Sequence, residues 1–146
     1  LGWDALHLVE PSRSVGGTIA EGRASGEREA TGLRPDELRR FSDDRWIAGC
    51  ERCRTGLLDL CASVGIEPDI GFASDDVVAV QALVAAGFGV TLLSALALAG
   101  HRNSGVVTHS VVGAGRELHG ATYGAPPRPA AVEEVVQTLL GLSWIA

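Results

Sequence analysis

The amino-acid sequence predicts an α/β fold, because a strand–helix–strand unit occupies residues 69–93 and further short apolar segments alternate with amphipathic ones around it. The helix of this unit carries apolar residues at spacings of three, four and seven, which place them on one face. Gly87 follows as a helix C-cap, and the apolar run 90–93 is typical of a strand buried on both faces. We expect a parallel crossover connection between the two strands.

Polar residues mark the start of the same helix. Ser74 or Asp75 is predicted to accept a hydrogen bond from the first helical turn, and Asp75 and Asp76 suit the positive end of the helix dipole. Two adjacent carboxylates are also a candidate acid–base pair. Capping explains both residues, so we expect them to be structural.

Composition and charge narrow the class of protein. With 46% apolar and 21% charged residues, the 146-residue chain matches one globular domain with a real core. A formal net charge of −6 disfavours autonomous nucleic-acid binding, which usually relies on a basic face. No apolar run approaches the roughly twenty residues that cross a bilayer, and three cysteines make no disulfide framework. We therefore expect a cytoplasmic protein, and a first residue other than Met leads us to expect a fragment.

The first part of the chain is predicted to contain one strand and one long loop. The strand covers residues 6–9 and ends at Pro11, because proline cannot donate a hydrogen bond to the sheet. Residues 12–32 are rich in Gly, Ser, Thr, Arg and Glu, which predicts a surface loop. A plain insertion and a lid are both compatible with this loop.

Three elements are predicted between this loop and the strand–helix–strand unit. They are a short helix over 34–41 with proline at its first position, a strand over 45–48, and an amphipathic helix over 51–64 that ends at Gly65. Six arginines and five acids lie within residues 34–54. This balance predicts a solvated face of mixed charge and not a DNA-binding patch.

After residue 93 the sequence predicts a short helix, two strands and a final helix. The short helix covers residues 95–99, and the strands 106–112 and 118–123 are separated by a turn at 113–115. The final helix carries an apolar stripe at Val132, Val135, Val136, Leu139 and Leu140. Because such a stripe needs a covering surface, we expect the chain to pair with another copy or to expose this face.

Cys50 and Cys53 form the motif with the most evident chemistry. Both lie at the start of a helix, where the dipole and the neighbouring Arg52 and Arg54 stabilise thiolates. They are candidate redox residues, and structural or incidental cysteines are the alternative. A zinc site would need two further ligands at suitable spacing, so we expect no metal. The four histidines are scattered without a catalytic pattern, and we expect no cofactor and no enzymatic activity.

Several segments resemble the effector-binding domain of LysR-type transcriptional regulators. The most specific is the run Phe-Ala-Ser-Asp-Asp at 72–76, which is followed by Leu-Val-Ala-Ala-Gly-Phe-Gly at 83–89 and an apolar strand. The resemblance extends over most of the chain through segments 6–11, 35–47, 49–54 and 61–70. Ser94 stands where the family commonly has proline, and the loop over 15–32 is longer and more charged than usual.

The resemblance implies a lobe of the type 2 periplasmic-binding-protein fold, with a mixed, mainly parallel sheet and helices on both faces. Residues 1–11 would be a crossover strand from lobe I, and residues 12–117 an essentially complete effector-binding lobe II. Residues 118–146 would be a second crossover strand and the C-terminal helix of a partial lobe I. The family's helix-turn-helix has no counterpart in this sequence, so DNA binding would depend on a part that lies outside it.

The resemblance also implies a small-molecule effector, with carboxylates as candidates. Carried onto this sequence, the effector-binding residues are Ala48, Gly49, Cys50, Phe72, Ala73 and Ser74. The N–H groups at the helix starts near Cys50 and Ser74 suit a carboxylate. The implied function is effector-controlled transcription by a homo-oligomer through a hinge change, with no membrane partner. The alternative is a periplasmic-type solute-binding protein of the same fold.

Overall fold

The computed structural model describes residues 1–12 and 32–142. Its strands are β1 (Gly2–Pro11), β2 (Arg45–Ala48), β3 (Asp69–Ala73), β4 (Thr91–Ser94) and β5 (Val106–Leu118). Its α-helices are α1 (Glu51–Ser63), α2 (Val77–Ala85), α3 (Ala95–Gly100) and α4 (Ala130–Gly141), and a 3₁₀ helix covers Pro35–Phe41. The predicted loop over 12–32, with its insertion and lid alternatives, lies outside the described residues except at its two ends.

Five strands form one continuous arrangement in the described part of the chain. β1 lies between β4 and β5 in an antiparallel sheet, whereas β2 and β3 form a parallel pair. Ile47 N–H donates to Val90 O and Val90 N–H donates to Arg45 O, both at 2.9 Å. Val90 immediately precedes β4, so β2 and β4 are neighbours that run parallel. The strand order is therefore β3-β2-β4-β1-β5. The predicted parallel crossover is confirmed. α2 connects β3 to β4, and β2 lies between these two strands in the sheet.

The sheet is mixed, as the resemblance implies, but its antiparallel part is larger than a mainly parallel sheet would have. β1 pairs with β4 over residues 6–9 and with β5 along most of its length. β1 also has 10 residues, and so extends beyond the strand predicted over 6–9. Its first half pairs with residues 115–118 of β5, a partner that the local sequence does not reveal.

β5 corrects the predicted turn at residues 113–115. The strand continues through this segment to Leu118, and residues 119–123, which were predicted to lie in a second strand, are not in a strand. The pairing register with β1 shifts here, and Gly113 has a φ of +72°, a conformation that glycine adopts readily. Glycine marks a bulge in a strand as readily as it marks a turn, which explains the wrong prediction.

Helices cover both faces of the sheet. Neighbouring residues of the inner strands point to opposite faces. Leu8, Trp46 and Leu92 join one apolar cluster, and Val9, Ile47 and Leu93 join the other. The 3₁₀ helix and α1 pack against the first cluster, and α2 and α3 pack against the second. Trp46 is fully buried, and its indole Nε1–H donates to Phe41 O at 3.1 Å, which ties the 3₁₀ helix to β2.

The N-cap of α2 lies one to two residues later than predicted. Asp76 is the cap, and its Oδ1 accepts hydrogen bonds from Val78 N–H at 2.8 Å and Ala79 N–H at 3.2 Å. Ser74 Oγ instead accepts from Asp76 N–H at 3.2 Å, in the turn before the helix. Serine and aspartate are similarly good caps, so the sequence does not separate these neighbours. The predicted C-cap is confirmed, because Gly87 follows the helix with a φ of +81°.

The apolar stripe of α4 is exposed in the single chain, and the expectation that another copy covers it or that it stays exposed remains a prediction. No residue of α4 is buried, and Val135 and Leu140 are 58% and 60% exposed. The stripe lines a groove of about 750 Å³, which Leu1 and residues 119–122 also line. α4 is too short to cross a bilayer, and no other helix in the described part of the chain is long and apolar enough to do so.

Candidate functional site

β2 and β3 end side by side at one edge of the sheet. Their parallel pairing places Ala48 opposite Ala73. Ser74 N–H donates to Ala48 O at 3.0 Å just beyond the strands, and Ser74 is partly exposed there. The structure therefore brings together the two segments that the sequence analysis singled out for effector binding, 48–50 and 72–74.

Phe72 packs its ring against a neighbouring aromatic residue near the end of β3. The rings of Phe72 and Phe88 meet edge to face, with centroids 5.6 Å apart and planes at 77°. Phe72 also packs against the apolar cluster that contains Val80 and Val84 of α2. The ring therefore helps to hold α2 on the sheet next to the candidate site.

α1 begins at the same edge, directly after β2. Cys50 is its N-cap residue, and the Cys50 sulfur accepts a hydrogen bond from Cys53 N–H at 3.4 Å. Gly49 allows the helix to start this close to the strand, because a Cβ atom at position 49 would lie 3.0 Å from Cys53 Cβ. Sulfur is a weak hydrogen-bond acceptor, so the main-chain N–H groups in the first turn of α1 can still bind a stronger acceptor such as an anion.

The two thiols of this turn lie against each other. Cys50 Sγ and Cys53 Sγ are 2.8 Å apart, and both cysteines are free. The hydrogen bond from the Cys53 thiol, and after it the one from Cys53 N–H, lowers the pKa of Cys50. Cys53 is exposed as a residue, but partial burial of its thiol group, and after it the contact with Cys50, raises the pKa of Cys53. Cys50 is therefore the more readily ionised thiol of the pair.

Cys61 does not join this pair. It lies about two turns further along α1, it is fully buried, and burial raises its pKa to about 11. It packs in the apolar cluster with Leu57 and Trp46. Cys61 is therefore a structural cysteine.

Arg116 of β5 was not among the predicted site residues. Its Nη2 donates to Ser94 Oγ at 3.4 Å, at the carboxyl end of β4. Burial has the largest effect on the pKa of Cys53, but Arg116 of β5 acts in the opposite direction and favours the thiolate. The Arg116 side chain is 56% exposed, so a ligand can reach it from solvent. The predicted turn at 113–115 hid this residue, because only the pairing of β5 with β1 reveals where Arg116 lies. The available signal was a single basic residue directly after a glycine-rich segment.

Asp4 holds Arg116 in place from the neighbouring strand. Arg116 Nε and Nη2 each lie 2.9 Å from Asp4 Oδ2, and Leu96 N–H donates to Asp4 Oδ1 at 2.9 Å. Burial by itself would raise the pKa of Asp4, but the hydrogen bonds from Leu96 N–H and then from Arg116 outweigh it, so the pKa is lowered. Asp4 is therefore a buried carboxylate that orients a partly exposed guanidinium.

Asp75 and Asp76 have different roles at this edge. Asp76 caps α2, which confirms the structural role expected of it. Asp75 is exposed, and its negative charge acts against the thiolate of Cys50 as a minor effect on that pKa. The two carboxylates therefore do not act as a unit.

Other ionisable residues do not assemble a metal site. His109 Nε2 lies 2.8 Å from Glu10 Oε1, and His119 Nε2 lies 3.1 Å from Glu117 Oε2. Across residues 1–12 and 32–142, no group of three or more His, Cys, Asp or Glu side chains is placed to hold a metal ion. The chemistry of the described edge is therefore that of main-chain N–H groups, two thiols and arginine side chains, of which Arg116 is held by Asp4.

Comparison with known proteins places the fold. The sequence matches a protein family described as the LysR substrate binding domain over residues 25–143. Comparison with curated protein sequences found no match. Among solved structures, HinK, a LysR family transcriptional regulator from Pseudomonas aeruginosa, matches with a TM-score of 0.50 and 21% identity over 76% of this chain and 34% of its own. CbnR, another LysR family transcriptional regulator, matches with a TM-score of 0.52 and 20% identity over 77% of this chain and 35% of its own.

A third structural match has a bound effector. The BenM effector binding domain, solved with its effector benzoate, matches with a TM-score of 0.53 and 17% identity over 76% of this chain and 46% of its own. The chain thus spans between a third and a half of the length of these three proteins. At these identities the structural likeness shows a shared α/β fold. The family match covers well over half of the sequence, and the chain therefore belongs to the LysR substrate-binding domain family.

Proposed function

We propose that this chain is the effector-binding region of a transcription regulator, and that a small anionic effector binds where β2 and β3 end. The observation that carries the proposal is the meeting of Ala48 and Ser74 at the start of α1. Arg116 adds a partly exposed cation whose charge favours the Cys53 thiolate. Membership of the LysR substrate-binding domain family supports the regulatory role. Residues 49–50 and 72–74 then form one wall of the effector site, whereas Ala48, also predicted to bind the effector, is fully buried and cannot contact it.

The start of α1 is a better anion site than the start of α2, although the sequence allowed both. At α2 the Asp76 carboxylate already accepts the N–H groups of Val78 and Ala79. At α1 a thiol occupies the equivalent place, and a carboxylate is a much stronger acceptor than a thiol. A carboxylate bound there gains the helix dipole and the charge of Arg116.

Small carboxylates are the effector class that suits these groups. Asp4 orients the Arg116 guanidinium and leaves more than half of the side chain exposed, so the cation is held ready for an anion. BenM offers a parallel, because its effector binding domain was solved with benzoate, itself a carboxylate. A hydrogen bond between charged partners contributes about 1.5–3 kcal/mol, which is enough to select an acid over its amide.

We further propose that residues 1–11 and 118–146 connect to lobe I and that residues 12–117 form lobe II. Gly2 of β1 pairs with Leu118 at the end of β5, so the two segments assigned to the lobe connection lie next to each other there. The exposed stripe of α4 would then be covered by lobe I or by another copy. Effector binding would favour one hinge angle and so alter the DNA-binding parts of a homo-oligomer. Full-length CbnR was solved in complex with its target DNA, and we assign DNA binding here to a part outside these 146 residues.

We also propose that the chain has no enzymatic activity and acts in the cytoplasm. The candidate site offers groups that bind an anion, and it lacks a convergent nucleophile and base among the described residues. All three cysteines are free thiols, which suits a reducing compartment. The family match does not favour the alternative of a periplasmic-type solute-binding protein.

Titration calorimetry on the full-length protein tests the site and the ligand class together. A panel of small aromatic and aliphatic carboxylates, with the matching amides as neutral controls, is titrated into wild type, Arg116→Gln and Arg40→Gln. Arg40 is an exposed arginine of the 3₁₀ helix and serves as the matched control. We expect Arg116→Gln to weaken carboxylate binding about tenfold or more, whereas Arg40→Gln leaves it unchanged.

Two results would count against the proposal. If Arg116→Gln binds the active carboxylate as tightly as wild type does, the effector site lies elsewhere. If amides bind as tightly as acids, the anionic class is wrong even where the position is right. Reporter transcription with the same variants separates loss of effector binding from loss of DNA binding.

A further inference from the structure

We propose that Cys50 and Cys53 are a reversible redox pair, in which Cys50 attacks a low-molecular-weight disulfide and Cys53 then closes an intramolecular Cys50–Cys53 disulfide. This modification site goes beyond effector binding and does not depend on the identity of the effector. It rests on the positions of the two sulfurs and on their surroundings.

The geometry of the pair favours bond formation. The two sulfurs are 2.8 Å apart, and a disulfide bond is about 2.05 Å long, so they need to approach by less than about 1 Å. Cys50 is the N-cap of α1 and Cys53 lies in its first turn. Cys53 is exposed and Cys50 is partly exposed, so a small disulfide can reach both from solvent.

The surroundings distinguish the attacking thiol from the resolving one. The hydrogen bonds from the Cys53 thiol and main chain lower the pKa of Cys50, and Arg52 N–H adds to them. A thiolate at the start of a helix is the form that attacks a disulfide. Cys53 has a raised pKa, first because of burial and then because of its contact with Cys50. Cys50 is also the N-cap residue, and its sulfur accepts from Cys53 N–H at 3.4 Å, a contact that stabilises a thiolate there. Cys50 therefore reacts first, although Cys53 is the more exposed residue.

The exchange balances in two steps. In the first, the Cys50 thiolate attacks one sulfur of the small disulfide, a bond forms between these sulfurs, the original disulfide bond breaks, and one small thiolate leaves and takes a proton from water. In the second, Cys53 loses its proton to solvent and attacks Cys50 Sγ, and the second small thiol leaves. Two protein thiols are oxidised, and one small disulfide is reduced to two thiols.

The first step prepares the second. While Cys50 is a thiolate, its charge and its hydrogen bond raise the pKa of Cys53. Once Cys50 carries the adduct, both of these effects are gone, although the effect of burial remains. Arg116 continues to favour the Cys53 thiolate. The resolving thiol therefore becomes more reactive when it is needed.

Cys61 serves as an internal reference for this chemistry. It lies on the same helix, but it is fully buried and burial raises its pKa to about 11. A thiol in that state neither meets a small disulfide nor ionises near neutral pH. Oxidation should therefore be confined to the other two cysteines.

The test treats the full-length protein with oxidised glutathione, blocks remaining thiols with iodoacetamide and identifies the peptides by mass spectrometry. In wild type we expect a Cys50–Cys53 disulfide that dithiothreitol reverses. In Cys53→Ser we expect a stable glutathione adduct on Cys50. In Cys50→Ser we expect adduct formation on Cys53 to be about tenfold slower or more than that on Cys50. Serine is a good N-cap, so the fold should tolerate the last substitution, and circular dichroism checks it.

Cys61→Ala is the matched control and should show wild-type oxidation kinetics. Equal adduct rates at the two exposed cysteines, a stable adduct without an internal disulfide in wild type, or a disulfide to Cys61 would each overturn the proposal. Protection of both thiols from iodoacetamide by Zn²⁺, without oxidation by glutathione disulfide, would identify a metal-binding pair and would overturn it as well. Effector titration is not part of this readout, so its outcome leaves the effector proposal unaffected.

Discussion

Asp4 and Arg116 face each other across β1 and β5, although 112 positions separate them in the sequence. One oxygen of the Asp4 carboxylate accepts from the guanidinium, and the other accepts from Leu96 N–H at the start of α3. Asp4 is 2% exposed and the Arg116 side chain is 56% exposed. This pair therefore joins β1, β5 and the start of α3, and it holds the Arg116 guanidinium next to Ser94 at the end of β4.

Removal of the Asp4 carboxylate is expected to destabilise the fold. We expect Asp4→Ala to lower the free energy of unfolding by about 2 kcal/mol, because Leu96 N–H and Arg116 lose their acceptor. The loss stays below the roughly 3–5 kcal/mol of fully buried pairs, since solvent can rehydrate Arg116. Urea unfolding measures the difference. Asp36→Ala breaks an exposed ion pair with Arg34 and should cost less than about 0.5 kcal/mol, and equal losses would refute the buried role of Asp4.

The same carboxylate should make stability depend on acid pH. The folded protein holds the pKa of Asp4 below its usual value of 3.8, so the unfolded chain takes up the proton first as pH falls. The contribution of the Asp4 carboxylate to the free energy of unfolding is therefore fully present above pH values near that usual pKa. It is lost as pH falls through the lower folded-state pKa. Urea unfolding over a series of acidic pH values should show a shallower decline in Asp4→Asn than in wild type. Parallel declines would show that Asp4 does not contribute.

The cap of α2 separates two neighbouring aspartates. We expect Asp76→Ala to cost about 1 kcal/mol, because Val78 N–H and Ala79 N–H lose their acceptor. Asp75→Ala is the matched control and should change the free energy of unfolding by less than about 0.5 kcal/mol. Thermal or urea unfolding distinguishes them. A larger loss of unfolding free energy for Asp75→Ala than for Asp76→Ala would show that Asp75 caps α2, as the sequence analysis allowed.

Gln81 is a fully buried polar residue on α2 and should be intolerant of an apolar replacement. Its Nε2 donates to His101 O at 2.9 Å and its Oε1 accepts from Asn103 N–H at 2.8 Å, which fixes the segment after α3. Gln81→Leu keeps a similar volume but leaves both main-chain groups unpaired, so we expect a loss of about 2 kcal/mol in urea unfolding.

Gln137→Leu is the control for this change, because Gln137 is exposed on α4 and bonds only Glu133 among the contacts described for it. We expect it to alter the free energy of unfolding by less than about 0.5 kcal/mol. Similar losses of unfolding free energy in the two variants would mean that the hydrogen bonds of Gln81 to His101 and Asn103 do not stabilise the fold.

Elements whose signals are local agree closely with prediction. β2 was predicted over its observed residues, α1 ends one residue before the predicted 64, and Gly87 ends α2 as expected. These boundaries depend on helical or strand periodicity and on caps within a few residues. The turn at 113–115 was wrong because a glycine-rich segment is compatible with both a turn and a bulge. Its outcome was decided by the pairing of β5 with a strand from the other end of the sequence.

In the candidate site, too, some features follow from local sequence signals and others depend on residues that are distant in sequence. The meeting of segments 48–50 and 72–74 was predictable, because parallel strands in one sheet end at the same edge. The preference for α1 over α2 as an anion site was not, because it depends on Asp76 occupying the N–H groups of α2. Arg116 was not predictable at all, since nothing within its own segment points to Asp4 or to the thiols.

The sequence by itself determined the α/β class, the strand–helix–strand unit, the Cys50–Cys53 motif and the resemblance to one family, because each is written in residues that lie close together along the chain. The tertiary structure alone decided the strand order, the length and register shift of β5, the exposure of α4 and the place of Arg116 beside Asp4. These features depend on hydrogen bonds and packing between residues that are distant in sequence, and local periodicity carries no information about which distant partner a strand or a charge will meet.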